Sequence, residues 1–181
     1  MRDSITIGGL PGSGTTTTAR RLQETLHLPY VYAGHLFREL ARERGMTLAE
    51  FGAYCEEHPE VDRALDKKQE MLLAAGHLIL EGRLAGWIAH RNSIPAFKIW
   101  LSCMEKERVR RVAEREGESL ETVRREIEAR EASEKKRYRR YYDIDLDDLS
   151  IYDVVVDTTS LPPTEVEAAI LEAMDGRQKL K

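Results

Sequence analysis

Only two cysteines occur, Cys55 and Cys103, and neither lies in CxxC-type spacing. A disulfide framework and a thiolate-built structural zinc site are thereby excluded. No apolar run approaches the ~20 residues of a membrane span, and the opening "MRDSITIGGL" lacks the apolar stretch of a signal peptide. The expectation is a cytoplasmic protein with no membrane partner. A surplus of one charge is also missing: 33% of the residues are charged, yet the formal net charge is only -4, which fits neither a nucleic-acid coat nor a membrane-surface protein. Without Pro/Gly-rich linkers or internal repeats, 181 residues with 41% apolar content read as one domain with a full core.

What is present is an alternation of strand and helix. Ile5 and Ile7 mark a short strand that stops at Gly8, and Thr16 to Leu26 reads as a helix with Ala19, Leu22 and Leu26 on one face. A second strand, Pro29 to Ala33, precedes a helix with the stripe Leu36, Phe37, Leu40 and Ala41. Thr47 to Gly76 holds two helices split by Pro59, the first opened by the capping-box signal "TLAE". Buried strands are expected at His77 to Arg83, Ala96 to Ser102 and Tyr152 to Thr159, with helices between them. Repeated βα units predict a parallel sheet covered on both faces. Ser119 to Tyr142, starting "SLET", predicts a long helix with eight Lys or Arg against four Glu between Arg124 and Arg140. The polar tail after Met174 is expected to fray.

The stretch "GGLPGSGTTT" carries the first chemistry. Gly9, Gly14 and Thr16 match G-x-x-x-x-G-K-[ST] except that Thr15 stands in the lysine position, and the match lies between a strand and a helix. Glycines let backbone N–H groups converge on phosphate oxygens, the helix N-terminus adds partial positive charge, and Thr16 offers a hydroxyl to Mg²⁺. The expected nucleotide cradle is Gly8, Gly9, Leu10, Pro11, Gly12, Ser13, Gly14, Thr15, Thr16 and Thr17, with Thr16 as the metal ligand. The missing ammonium matters most in a phosphoryl-transfer transition state, so a cation from elsewhere is expected to replace it.

Arginines at three places can supply it. Arg38, inside the helix after the second strand, and Arg83, after the third, emerge on the carboxyl edge of a parallel sheet, where guanidinium groups suit a second phosphorylated ligand. On the charged helix, Arg130, Glu134 and Arg137 stand at i, i+4 and i+7, so Glu134 can hold an arginine in a defined rotamer. Glu81, ending a buried strand, either orients a Mg²⁺-bound water or nucleophile or holds Arg83. The histidines His35, His58, His77 and His90 show no ligand spacing.

Together "GLPGSGTTT", "YAGHLFRELARERGMTLAEF", "HPEVDR", "ILEGRLAGW" and "EASEKKRY…IDLDDLSIYDVVVDTT" resemble the archaeal type of cytidylate kinase, from the first strand to the last helix. The resemblance implies the α/β fold of P-loop nucleoside monophosphate kinases: three layers, a five-stranded parallel sheet, a short helical NMP-binding segment (about 33–76) and a small helical lid (about 119–148) within one domain 1–181. It implies Arg38, Gly82 and Arg83 as the acceptor site and Arg130 and Arg137 as the catalytic lid arginines. Compared with bacterial cytidylate kinases, "G-R-D" appears as Gly82-Arg83-Leu84 and "L-D-S-G" as "VYAG", so those acidic and serine contacts have no counterpart here.

The activity implied is transfer of the γ-phosphoryl of ATP to CMP, and to dCMP, with Mg²⁺, by a monomeric chain whose partners are small molecules and not nucleic acid. The alternatives are a P-loop kinase for AMP, UMP or a small alcohol, and a nucleotide-gated RNA-binding protein using Arg124 to Arg140 as its surface. The acids of "DIDLDD" oppose the RNA reading, and the absence of N-K-x-D opposes a signalling GTPase.

Overall fold

The computed structural model describes residues 3–179. The elements run β1 (Ser4–Gly9), α1 (Thr15–Leu26), β2 (Tyr30–Tyr32), α2 (Ala33–Glu43), α3 (Leu48–Glu57), α4 (Pro59–Ala75), β3 (Ile79–Glu81), α5 (Ala85–Arg91), β4 (Ala96–Ser102), α6 (Glu105–Glu116), α7 (Leu120–Tyr142), β5 (Val154–Asp157) and α8 (Pro163–Lys179). The five strands form one sheet in the order β2-β3-β1-β4-β5, every pairing parallel. β1 is central, with Ile5 beside Ile79 and Phe97, and Ile7 beside Glu81 and Ile99.

Because side chains alternate across a strand, each face of the sheet acquires its own apolar layer. Ile5, Ile7, Ile99 and Leu101 pack on Ala19 and Leu22 of α1 and on Val166 and Ile170 of α8. Leu80 and Ala96 on the other face meet Ala85, Ile88 and Ala89 of α5, Leu73 of α4 and Tyr138 at the end of α7. Burying each of the large aliphatic side chains contributes about 1.5–3 kcal/mol, so this two-sided core is what fixes strand order and register. Two smaller clusters join α6 to α7 and α2 to α3.

The expected start signals operate to different degrees. Thr47 and Glu50 form a complete capping box at α3, whereas at α7 Ser119 caps the Thr122 N–H without a carboxylate returning the bond. The helix at the C-terminus differs from the expectation of a frayed tail after Met174. α8 continues to Lys179, since Val166, Ile170 and Met174 form one stripe docked on the core and carry the following turn with them. Leu180 and Lys181, also in the expected tail, lie outside the described residues, as do Met1 and Arg2 of the opening segment. Among the described residues, no helix is long and apolar enough to cross a membrane.

A parallel sheet collects its functional loops at the carboxyl edge, near the point where strand order reverses. Here that edge carries the loop after β1, Ala33 after β2, Gly82 and Arg83 after β3, Cys103 after β4, and Thr158 after β5.

Candidate active site

Gly8 and Gly9 close β1, Leu10 to Gly14 make the loop, and Thr15, Thr16 and Thr17 open α1. Gly12 has φ 85°, and a Cβ there would sit 2.5 Å from the Arg108 carbonyl oxygen; Gly14, the N-cap, has φ 90°. Both positions therefore need glycine, one for conformation and space, the other for conformation alone.

Every carbonyl of the loop is accounted for. The Leu10 oxygen accepts from the Ser13 N–H at 3.1 Å and that of Gly14 from the Thr18 N–H at 3.0 Å. The Pro11 oxygen accepts from Arg108 Nη1 at 3.1 Å, that of Gly12 from Arg111 Nη1 at 3.5 Å, and that of Ser13 from the Thr158 hydroxyl at 2.9 Å. With the carbonyls committed to surrounding donors, and no side chain capping the start of α1, the N–H groups of its first turn are left to present positive dipole to an anion. Arg108, Arg111 and Thr158 were not singled out in the sequence. Their partners lie 47 to 145 residues away, and only the "VDTT" ending of the last strand hinted at one of them.

Glu81 sits beneath this loop, 4% exposed. Its Oε1 accepts from the hydroxyls of Thr15 at 2.6 Å and Thr16 at 2.8 Å, and its Oε2 accepts from the Tyr30 hydroxyl. Burial, followed by the Glu81 hydrogen bond, raises the Tyr30 pKa, so the phenol stays a donor. The residue in the lysine position thus turns its hydroxyl to a carboxylate. Glu81 makes no ion pair with Arg83, which goes elsewhere.

Arg83 Nε meets Glu134 Oε2 at 2.6 Å, and Arg130 Nε meets Glu134 Oε1 at 2.9 Å. Burial alone would raise the Glu134 pKa; the two guanidinium charges and their hydrogen bonds outweigh it and hold it down, to about 2. Each arginine bonds the acid through Nε–H, leaving its terminal N–H groups without a hydrogen-bond partner among the described residues. One carboxylate therefore orients two forks of the kind that grips phosphate oxygens.

The other two arginines are not drawn into this cluster. Arg38 is exposed and lies over the Tyr32 ring at 5.3 Å. Arg137 is 2% exposed, pairs with Asp62 Oδ2 at 3.2 Å, donates to the Gly52 carbonyl at 3.2 Å and covers the Phe37 ring. Burial raises the Asp62 pKa, against the opposing charge of Arg137. Glu134 and Arg137 share α7, but one faces Arg83 and the other α3.

A cavity of about 240 Å³ opens beside the loop, between Gly14 and Thr17 on one side, Arg110 and Arg111 on another and Thr158, Leu161 and Pro163 on a third. A second, of about 310 Å³, lies between α4 and α5 and includes Asp66, Trp87 and Tyr142. No cluster of three or more His, Cys, Asp or Glu side chains forms a metal cage among the described residues.

A family model described as the cytidylate kinase-like family matches residues 4–160. Cytidylate kinase of Methanococcus aeolicus is 45% identical over 176 residues, covering 97% of this chain and 99% of that protein. The Methanocaldococcus jannaschii cytidylate kinase gives the same figures, and that of Pyrococcus horikoshii is 44% identical over 171 residues, 94% of this chain and 88% of its own. Among solved structures, a gluconokinase from Sinorhizobium meliloti superposes with TM-score 0.64 at 15% identity, covering 96% of this chain and 91% of that one. Shikimate kinase from Acinetobacter baumannii gives 0.61 at 18%, covering 99% and 96%. At such identities these last two establish the α/β fold of P-loop kinases and nothing about the acceptor.

Proposed function

The chain belongs to the cytidylate kinase-like family, and on that premise we propose that it transfers the γ-phosphoryl group of ATP to CMP, and to dCMP, giving ADP and CDP. The observation that carries this reading is the pair Arg83 and Arg130 braced on Glu134, on the same sheet edge as a loop whose carbonyls are all occupied. The acceptor is itself an anionic phosphate, so the reaction needs no covalent intermediate. Its demands are alignment of two anions and neutralisation of the charge that spreads between them.

In this reading the loop from Gly8 to Thr17 holds the donor phosphates through those of its N–H groups that have no partner in the fold, and the cavity beside Gly14 and Thr17 receives the rest of the donor nucleotide. Arg83 and Gly82 hold the acceptor, joined by Arg38 swinging from Tyr32. Arg130 meets the transferring group. Arg137 joins it only by leaving Asp62 and the Gly52 carbonyl. Residues 33–76 serve as the acceptor-binding segment and 119–148 as the lid. α7 already reaches across to α3, with the Tyr141 hydroxyl shared by the Cys55 and Glu56 carbonyls. Closure there excludes water, so the phosphoryl group reaches CMP and not solvent.

The residues present suit Mg²⁺. The Thr16 hydroxyl and the Glu81 carboxylate are adjacent hard oxygen donors of the kind Mg²⁺ takes alongside phosphates and water. Thr16 would hold the ion directly and Glu81 through water; when bound, it supplies charge neutralisation on the phosphates. The reaction is one of the cytoplasm, carried out by a monomer on small molecules without nucleic acid.

The test is ADP formation from ATP with CMP, dCMP, UMP and AMP in turn. CMP should give the highest kcat/KM, and a preference for AMP would overturn the acceptor assignment.

A further inference from the structure

Gln69, on α4, is 8% exposed, and its amide is held in one orientation. Its Nε2 donates to Asp66 Oδ1 at 3.0 Å, while Asp66 Oδ2 accepts from the Tyr142 hydroxyl at 2.6 Å. Turning the amide over would set its oxygen against the carboxylate, so the chain Tyr142–Asp66–Gln69 fixes which end points away. The end that points away is Oε1, and it is buried without a hydrogen-bond partner. Buried amide oxygens are almost always paired, and one left open marks a place where a donor is missing.

The place is the end of β3. A Cβ on Gly82 would lie 2.9 Å from Gln69 Oε1, 3.1 Å from Ala33 Cβ and 3.6 Å from Ala85 Cβ. Gly82 has no positive φ, so glycine is needed there for space and not for conformation. Gly82 and the two alanines thus pack where Gln69 Oε1 lies, at the end of β3, one residue from the carboxylate that touches the phosphate loop.

We propose that Gln69 is the residue that selects the acceptor base, its fixed amide oxygen accepting a hydrogen bond from the exocyclic amine of cytosine. Asp66 and Tyr142 act as positioning residues that keep that oxygen forward. Uracil carries a carbonyl at the same place, and two acceptors facing one another in a buried site leave both unpaired. The inference rests on the phosphotransferase reading above.

Initial rates with CMP, dCMP and UMP, taken near pH 8 where the Asp66 carboxyl, pushed up to about 7 by burial, is ionised, separate the two claims. If the native protein forms ADP with no monophosphate, the phosphotransferase reading fails. If it is active on CMP, the variants decide the base assignment. Asp66→Asn is nearly isosteric and offers its own amide to Gln69, allowing Gln69 to turn and present N–H groups. It should lower the CMP-to-UMP ratio of kcat/KM by about 10-fold or more, chiefly by raising the UMP value. Gln69→Leu should reduce kcat/KM for CMP and dCMP by about 10²-fold and change that for UMP by less than about 3-fold. Equal losses on CMP and UMP in both variants would overturn the assignment, as would a Gln69→Leu loss confined to CMP, since that would place the contact on the ribose. Should the leucine variant fail to fold, the Asp66→Asn ratio alone decides.

Discussion

Two buried carboxylates divide the chemistry of this site. Glu81 is surrounded by hydroxyl donors and Glu134 by guanidinium groups, so the first adjoins the hydroxyl proposed to hold the metal and the second organises the cations. Asp66 is a third acid with a different balance. Burial outweighs the donors around it and raises its pKa from 3.8 to about 7. Between those values the folded protein keeps a proton that the unfolded chain has released, so this group's contribution to stability is complete below pH 3.8 and disappears as pH rises through 7. Urea unfolding near pH 5 and pH 8 should show native protein losing roughly 2–3 kcal/mol more than Asp66→Asn over that interval. An equal loss in the two proteins would show that Asp66 is not the group responsible.

At the scale of elements, the phosphate loop illustrates what a sequence pattern carries and what it omits. The glycines at 9, 12 and 14 and the strand-loop-helix context were legible, because spacing and backbone conformation are local properties. The clamp behind the loop was not legible. No local motif marks Arg108 or Arg111, yet Arg108 is 4% exposed and reaches Pro11, while Arg111 reaches Gly12 and the Thr158 backbone. The same blindness affects α7: the i, i+4, i+7 spacing of Arg130, Glu134 and Arg137 suggests one shared face, but Glu134 turns to Arg83 and Arg130 while Arg137 sinks against Asp62 and Gly52. Helical periodicity names a face and not its neighbour. Thr158→Val tests the clamp, since it keeps the shape and removes the donor to the Ser13 carbonyl. It should lower stability by about 1–2 kcal/mol and weaken binding of a non-hydrolysable ATP analogue about 10-fold, read by calorimetry. Unchanged analogue affinity would mean the loop holds its shape without that bond.

Across the whole molecule, the sheet order β2-β3-β1-β4-β5 brings together on one edge residues separated by most of the chain. That order is not written in any local motif; the five apolar strand segments and the helices between them point to a parallel sheet but not to which strands are neighbours. The architecture lets α7 span from α6 to α3, so the helix that presents Arg130 also rests on the proposed acceptor-binding segment. A loop without lysine can then serve a kinase, provided the cation arrives from this lid. The measurement that tests this most directly is steady-state kcat for ATP and CMP in Arg130→Met, alone and combined with Thr15→Lys. The account predicts a fall of about 10²–10³-fold in the single variant and recovery of at least about 10-fold when lysine is restored to the loop. An Arg130→Met enzyme within about twofold of native kcat would contradict it.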